Sequence, residues 1–533
     1  MNKSGLFSSK SVMLALFFLF IIYVVVLLRT AWVNEDAYIT MRTVDNFVHG
    51  YGLRWNVAER VQTFTHPLWF FLITAFYFFT KESFYTLIGL SLITSFAAFY
   101  ITIIQVKKHN LGTLAALAIL IFSKAFVDFS TSGLENPATH LLLASFVLLF
   151  LESTDENFLD SKTIFFMSLI SGLATLNRMD SFLFFLPALL FILIKSRQVN
   201  TLKNIFLGLS PFVVWEIFSI IYYGFPFPNT AYAKLYTGIP RIDLIEGGII
   251  YLLNSLNWDP ITLLTIFSGS GLAILRGTWK ERSIAIGVFL YIFYIIWIGG
   301  DYMSGRFLSG ALLISVILLA RQFVHLELSE GIMILALILA VAYASPTPTL
   351  ISVSDETYST GREDVNGIVD WRSFSFQTSG LLYIRKGFPE PFHEWVFRGL
   401  KFKESHKRYL IEGTIGYTGY FAGPELFIID PFALADPLLA RLKPIERPDW
   451  GPGHFPREIP KGYLDTLRSG KMQFEDQNLG EYYEKLWLII RGPIFSWERF
   501  VTIWKMNTGQ YDYLLKAYEN HQKETTSHVP NSH

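Results

Sequence analysis

The chain has 533 residues, of which 52% are hydrophobic types, 17% are aromatic and only 17% are charged. Soluble globular chains carry about 25% charged residues, and a formal net charge of zero leaves no electrostatic footprint for nucleic acid. The lack of cysteine excludes disulfides, thiolate metal sites and a cysteine nucleophile.

Long uncharged runs define the class. Val12 to Leu28 contains no charged residue, and neither does Gly331 to Pro348. A membrane span needs roughly 20 mostly apolar residues, or somewhat fewer when short or tilted. In chain order the predicted spans are 11–31, 84–106, 111–127, 137–151, 163–177, 181–195, 204–223, 260–275, 283–298, 306–321 and 331–346. The first follows Lys3 and Lys10, as a signal peptide would. Its apolar core is longer than a signal h-region, and Arg29-Thr30-Ala31-Trp32 offers no small-residue cleavage site, so it reads as an uncleaved span.

Pro67 to Phe79 is apolar for only 13 residues. Read as a juxtamembrane or re-entrant helix, it leaves Lys107, Lys108, His109, Lys195, Arg197, Lys203, Arg276, Lys280, Arg282 and Arg321 on one side, as the positive-inside rule requires. An inside N-terminus and eleven spans then place loops 32–83, 128–136, 178–180, 224–259 and 299–305 outside, together with 347–533. That tail is rich in Gly, Pro, Trp, Tyr and charge, with no span-length apolar run. It suffices for one small domain. Tyr409–Ile411 and Leu426–Ile429 read as strands, 483–490 and 510–518 as helices, and the polar end from Lys523 as disordered. No repeat of 20–50 residues is present.

The expected outer loops hold the polar clusters: Glu35 and Asp36, Glu59 and Arg60, His66, Glu135, Asn177, Arg178 and Asp180, Asn229 and Lys234, then Asp301 and Arg306. Each has a plainer reading. Arg178 and Asp180 can pair with each other, Glu135 can be a helix N-terminal acid ahead of Pro137, Asp301 and Arg306 can form a surface pair, and His66 can be a turn residue. Convergence of so many on one face, against the membrane boundary where ionisable groups are costly, favours function. The chemistry they suit is glycosyl transfer from a lipid phosphate: a carboxylate base for the acceptor hydroxyl, cations (Arg178, Lys234, Arg306) for the leaving phosphate, and Gly299-Gly300 for close backbone approach.

The run Asn34-Glu35-Asp36-Ala37-Tyr38-Ile39-Thr40, then Asn46, Gly50-Tyr51-Gly52-Leu53, Trp55-Asn56, Glu59-Arg60-Val61 and Thr65-His66-Pro67-Leu68-Trp69 resembles the first outer loop of GT-C glycosyltransferases, more narrowly that of AftB-like arabinofuranosyltransferases. Ser132-Gly133-Leu134-Glu135, Leu176 to Asp180, Pro228-Asn229-Thr230 with Lys234, Gly300-Asp301 with Arg306, Gly416-Tyr417, Asp430-Pro431, Leu434 to Leu438 and Gly453-His454 add to the resemblance. It implies a polyprenyl-phosphate sugar as donor, an envelope glycan as acceptor, and an acidic pair, here Glu35-Asp36, as catalytic carboxylates. The first acid is Glu where that family has Asp, and His66 stands where it has Asn, so the base is either Glu35 or Asp36. Such a pair either acts alone or binds a divalent cation, Mg or Mn; the sequence leaves both open. The expected fold is a polytopic α-helical membrane protein of the GT-C type with about eleven spans over 1–346, followed by an extracytoplasmic α/β or α+β domain over 347–533, in a bacterial inner membrane. The competing classes are a transporter or flippase of lipid-linked glycan, and an envelope or flagellar-motor assembly factor that keeps the fold.

Overall fold

A computed structural model of the chain describes residues 9–105, 110–153, 160–196, 199–235, 237–351, 366–445 and 450–527. Lys3, Lys107, Lys108, His109 and Arg197 lie outside the described residues. Helices dominate. In chain order they are α1 (Ser9–Thr30), α2 (Glu35–Val48), α3 (Pro67–Thr80), α4 (Phe84–Ile104), α5 (Leu111–Phe122), α6 (Lys124–Asp128), α7 (Asn136–Glu152), α8 (Ser161–Asn177), α9 (Phe182–Ser196), α10 (Val199–Tyr222), α11 (Asn229–Leu235), α12 (Arg241–Trp258), α13 (Pro260–Arg276), α14 (Trp279–Ile298), α15 (Leu308–Gln322) and α16 (Leu328–Ala342). Every predicted span overlaps a helix, with 111–127 split at Ser123 into α5 and α6, and 67–79 is a helix as well. The expected loop 224–259 is largely helical, through α11 and α12.

By length and apolarity, six helical stretches among the described residues can cross a membrane: 13–30, 84–104, 179–196, 199–222, 279–298 and 308–325. The bent pair α12–α13 adds a seventh if it is one span. Its axes meet at 111°. Pro260 cannot donate into the preceding turn, and the Asp259 carboxylate is held by Ala125 N (2.8 Å) and the hydroxyls of Thr262 (2.6 Å) and Ser123 (3.2 Å), so the corner is pinned. Helices α3, α5, α7 and α16 are apolar but shorter.

The chain divides into two compact units: residues 1–37, 66–212 and 239–393 form the first, and 38–65, 213–238 and 394–533 the second. Segment 347–393, grouped by composition with the tail, thus belongs to the first unit.

At the centre of the first unit stands α15, whose residues Leu308 to Ala320 are all buried. A helix that is apolar all round has no solvent face and becomes a core. Helices around it approach closely at glycines, the usual way lipid-embedded helices pack. A Cβ on Gly208 would lie 2.4 Å from that of Ser168, and one on Gly269 would lie 2.3 Å from the Ser315 carbonyl oxygen. Helix α14 opens with a capping box, Thr278 and Glu281, and ends on Gly299 in the left-handed region.

The second unit is a small mixed domain. Strands β1 (Tyr409–Ile411) and β2 (Phe427–Ile429) pair in parallel, with Leu410 opposite Ile428. Around them are α18 (Glu394–Glu404), α19 (Tyr417–Ala422), α20 (Tyr463–Ser469), α21 (Gln477–Arg491), α22 (Trp497–Asn507) and α23 (Asp512–Ser527), while α17 (Trp371–Ser379) belongs to the first unit. Both predicted strands and both predicted helices are present. The chain end is helical past Lys523, as far as Ser527, where low hydrophobicity suggested disorder.

Candidate active site

Nine of the polar residues singled out above lie in the first unit. Their positions follow from how the loops are fastened. Asn34 N donates to Ser132 O (2.8 Å), and the Trp69 indole donates to Gly133 O (2.9 Å). These bonds tie the start of α2 and the start of α3 to loop 129–135. The Pro67-Leu68-Trp69 run is thus explained locally: Pro67 starts the helix, and two residues later Trp69 holds the loop that carries Glu135.

Glu135 is the hub. Its side chain is 1% exposed. Arg306 Nη2 donates to both of its oxygens at 3.1 and 3.2 Å, Arg178 Nη1 donates at 2.9 Å, and His66 Nδ1 lies 3.5 Å away. Burial alone would raise the Glu135 pKa, but Arg306, His66 and Arg178 outweigh it and hold the carboxyl well below its usual range. His66 is pushed down to about 4, chiefly by burial, so it is neutral at pH 7. Arg178 grips Asp180 bidentately, 2.7 Å on each arm, and lies 4.3 Å from the centroid of the Phe307 ring. The pairing of Arg178 with Asp180 read from the sequence is real, and Glu135 extends it. Asn177 donates to the Glu135 carbonyl (3.0 Å) and to Thr139 Oγ1 (2.9 Å), so it braces the loop.

Arg306 is the less committed cation. Its Nη1 is 3.8 Å from Asp301, a distance too long for a good hydrogen bond. Its Nε has no hydrogen-bond partner among the described residues.

The two candidate acids are not equivalent. Glu35 opens α2 and is buried; Asp36 follows, half-buried. Asp36 N caps onto Asn34 Oδ1 (2.8 Å), and Asp36 Oδ2 accepts a hydrogen bond from the Tyr302 hydroxyl. Asp36 also acts electrostatically on His66, so it belongs to the same site. Tyr302 is buried, and burial, then Asp36 and Asp301, keep its phenol protonated. Sequence reasoning missed Tyr302; adjacency to Asp301 was its only signal. It also missed Tyr291, whose hydroxyl reaches Asp180 (3.4 Å), and a buried network in which Lys124 bridges Asp128 (2.7 Å) and Asp370 (3.0 Å) while Arg372 pairs with Asp128. That network moors segment 368–371. Val369 bonds Tyr302 O (2.8 Å), and the Trp371 ring meets the Tyr302 ring edge-on.

Gly299 and Gly300 have a different role from the one expected. Gly299 is the left-handed cap of α14, and a Cβ on Gly300 would meet the Tyr251 side chain at 2.6 Å. Their freedom serves helix termination and packing. The Tyr251 hydroxyl then donates to Met303 O (3.1 Å) and accepts from Phe307 N (3.2 Å), which fixes the loop bearing Asp301, Tyr302 and Arg306.

The remaining four candidates lie in the second unit, each with its own setting. Glu59 pairs with Arg491 (3.1 Å). Arg60 donates to Ile489 O (3.2 Å) and Gly492 O (2.5 Å). Asn229 donates to the carbonyls of Ala433, Leu434 and Asp436. Lys234 is exposed on α11. Glu59, Arg60 and Asn229 thus hold this unit together. Asp436 is buried here; its Oδ1 accepts from Leu438 N and Leu439 N, and its Oδ2 accepts from the Tyr463 hydroxyl at 2.9 Å. Burial, then the charge of Glu59, push Asp436 up to about 7. The folded state therefore holds this proton more tightly than the unfolded chain. The associated stability is full below about pH 4 and is lost as pH rises through about 7. Asp436→Asn is expected to flatten that decline, measured as thermal midpoint against pH over roughly 4 to 8.

Among the described residues no three His, Cys, Asp or Glu side chains converge as a metal cage would. The groups on hand for acid–base work and phosphate binding are the side chains of the Asp36, Glu135, Arg178 and Arg306 cluster.

The fold and this site define a class: a largely α-helical protein with several helices long and apolar enough to cross a membrane, carrying a buried cluster of charged side chains. The solved structure of ArnT from Cupriavidus metallidurans bound to undecaprenyl phosphate is similar over 79% of this chain and 86% of that one, with a TM-score of 0.50 at 10% sequence identity. In sequence the chain is similar to the terminal β-(1→2)-arabinofuranosyltransferase of Corynebacterium glutamicum, 27% identical over 317 residues, covering 52% of this chain and 46% of that protein. It is also similar to the protein of the same description from Mycobacterium tuberculosis, 27% identical over 260 residues, covering 44% and 39%. The chain thus matches less than half the length of these relatives. No family model matches it.

Proposed function

We propose that this chain is an integral-membrane glycosyltransferase that moves a sugar from a polyprenyl-phosphate donor to a cell-envelope glycan on the outer face of the inner membrane. The observation that carries this reading is the joining of Asp36, held by Tyr302, to the Arg306–Glu135–Arg178 cluster within one unit. In the reaction the bond from the sugar's anomeric carbon to the phosphate oxygen breaks and a bond to the acceptor oxygen forms. The acceptor's proton passes to Asp36. Arg306, with its uncommitted Nε, is the cation best placed to meet the leaving phosphate. Arg178, saturated by Asp180 and Glu135, fixes the cluster's geometry instead. Tyr302 donates to Asp36 and so holds the carboxylate in one orientation. A pentose is the sugar suggested by the arabinofuranosyl-transferring relatives.

The test is transfer by the purified, lipid-reconstituted protein from polyprenyl-phosphate pentose and hexose donors, read as released polyprenyl phosphate and elongated glycan. Loss of activity in Asp36→Asn together with activity in wild type supports the reading. Inactive wild type with each donor, in folded protein, would leave the transport or assembly role as the better account. Tyr302→Phe keeps the ring against Trp371 and removes only the hydroxyl. Its expected effect is a fall in kcat on the order of tenfold with little change in KM, from loss of one charge-assisted hydrogen bond.

A further inference from the structure

One helix of the second unit presents an aromatic edge that nothing among the described residues covers. Helix α22 is amphipathic: Arg499, Thr502, Ile503 and Met506 are buried. On its other side Trp497 is 80% exposed and Trp504 69%, and Phe495, just ahead of the helix, is 82% exposed. Trp497 and Trp504 are seven residues apart and so share one face. Large aromatic side chains rarely stand so far into water, and a contiguous set of them marks an interaction surface.

What that surface meets follows from where α22 is tied. Arg499 is completely buried and donates to Ile221 O (2.7 Å) and Tyr222 O (2.9 Å). These are last-turn carbonyls of α10, which the helix itself leaves unsatisfied, and a cation is favoured there by the helix dipole. Asn507 donates to Gly224 O (2.8 Å), and Gly224 has no room for a Cβ because Ile489 would lie 2.2 Å away. Helix α22 is therefore clamped onto the end of α10. That helix is one of the span-length apolar stretches. Its 24 residues give a length of about 36 Å at 1.5 Å per residue, more than the ~30 Å hydrocarbon layer. A helix of that length set across the layer brings its end to the headgroup level, and Val214 and Ile217 on its later turns are exposed, as lipid-facing side chains are. Trp is favoured at this boundary because its ring is apolar and its N–H is polar.

We propose that α22 lies in the lipid headgroup layer with Phe495, Trp497 and Trp504 inserted at the acyl boundary. The occupant of this edge is the lipid surface that α10 leaves, and the aromatic edge continues the lipid-facing side of that span. Helix α22 is in this sense an interfacial anchor for the second unit.

The absence of cysteine in the chain makes the test direct. Single variants Trp504→Cys and Phe495→Cys carry a nitroxide label, with Lys461→Cys as the water reference because Lys461 is 80% exposed. The full chain is reconstituted in nanodiscs of phosphatidylethanolamine and phosphatidylglycerol. Collision rates with oxygen, which enriches in lipid, and with a neutral nickel chelate, which stays in water, are then compared. The expected result is an oxygen-to-nickel ratio at 504 and 495 at least threefold above that at 461. A ratio equal to that at 461 overturns the proposal. Shielding from both reagents also overturns it, since a second copy of the chain would then cover the edge. These side chains are largely in the open, so replacing them removes little packing, and a thermal midpoint unchanged from wild type in the same samples reports that the fold is intact.

Discussion

Asp36→Asn is expected to lower the rate of sugar transfer on the order of 10²–10⁴-fold, the usual range for losing a general base, while Glu35→Gln is expected to keep most of it. The two acids are neighbours on α2, about 100° apart around its axis. Asp36 accepts the Tyr302 hydroxyl and acts electrostatically on His66. Asparagine keeps the size of the side chain and can still accept from Tyr302, so the change isolates the charge. The measurement is single-turnover transfer by reconstituted protein, with thermal stability recorded alongside. A large loss in Glu35→Gln with none in Asp36→Asn would move the catalytic role to Glu35 and sever it from Tyr302.

The second large effect is on stability. Glu135→Gln is expected to destabilise the first unit by on the order of 3 kcal/mol, because removing one member of a buried charge network leaves the others uncompensated. Arg178 and Arg306 side chains are 13% and 12% exposed and share this one carboxylate. Without its charge the carboxylate facing Arg306 is Asp301, at the long distance of 3.8 Å, and the two guanidiniums repel each other. Asp180→Asn should cost less, since Arg178 retains Glu135. Thermal unfolding in detergent checks both variants. Equal effects, or a stable Glu135→Gln, would show that the network contributes geometry rather than stability.

Much of the site's membership is legible from residue type and position. Charged residues at the ends of apolar runs are expensive unless partnered, so Asp36, Glu135, Arg178, Asp180, Asp301 and Arg306 stand out in the sequence itself. Their partnership does not. Glu135 reads equally well as a helix N-terminal acid, and its position as the common partner of Arg178 and Arg306 depends on two loops more than a hundred residues apart meeting. Tyr302 is hidden among many interfacial tyrosines, because a phenol becomes informative only when a carboxylate is seen against it. Gly299 and Gly300 mislead because glycine serves helix ends, tight packing and ligand approach with the same letter.

The sequence alone determined the class of the molecule, since long uncharged runs have no stable home outside lipid or a dry core, and helices are how such runs satisfy their backbone polar groups. It also placed β1, β2 and the late helices, where local propensity and tertiary packing agree. Only the tertiary structure decided which residues share a unit. The segments 38–65 and 213–238 join the tail, and 347–393 joins the helical unit, because burial is settled by partners far along the chain rather than by composition. The same reason separates Asp36 from Glu35: both are acids one residue apart, and the Tyr302 hydroxyl that distinguishes them comes from 266 positions away.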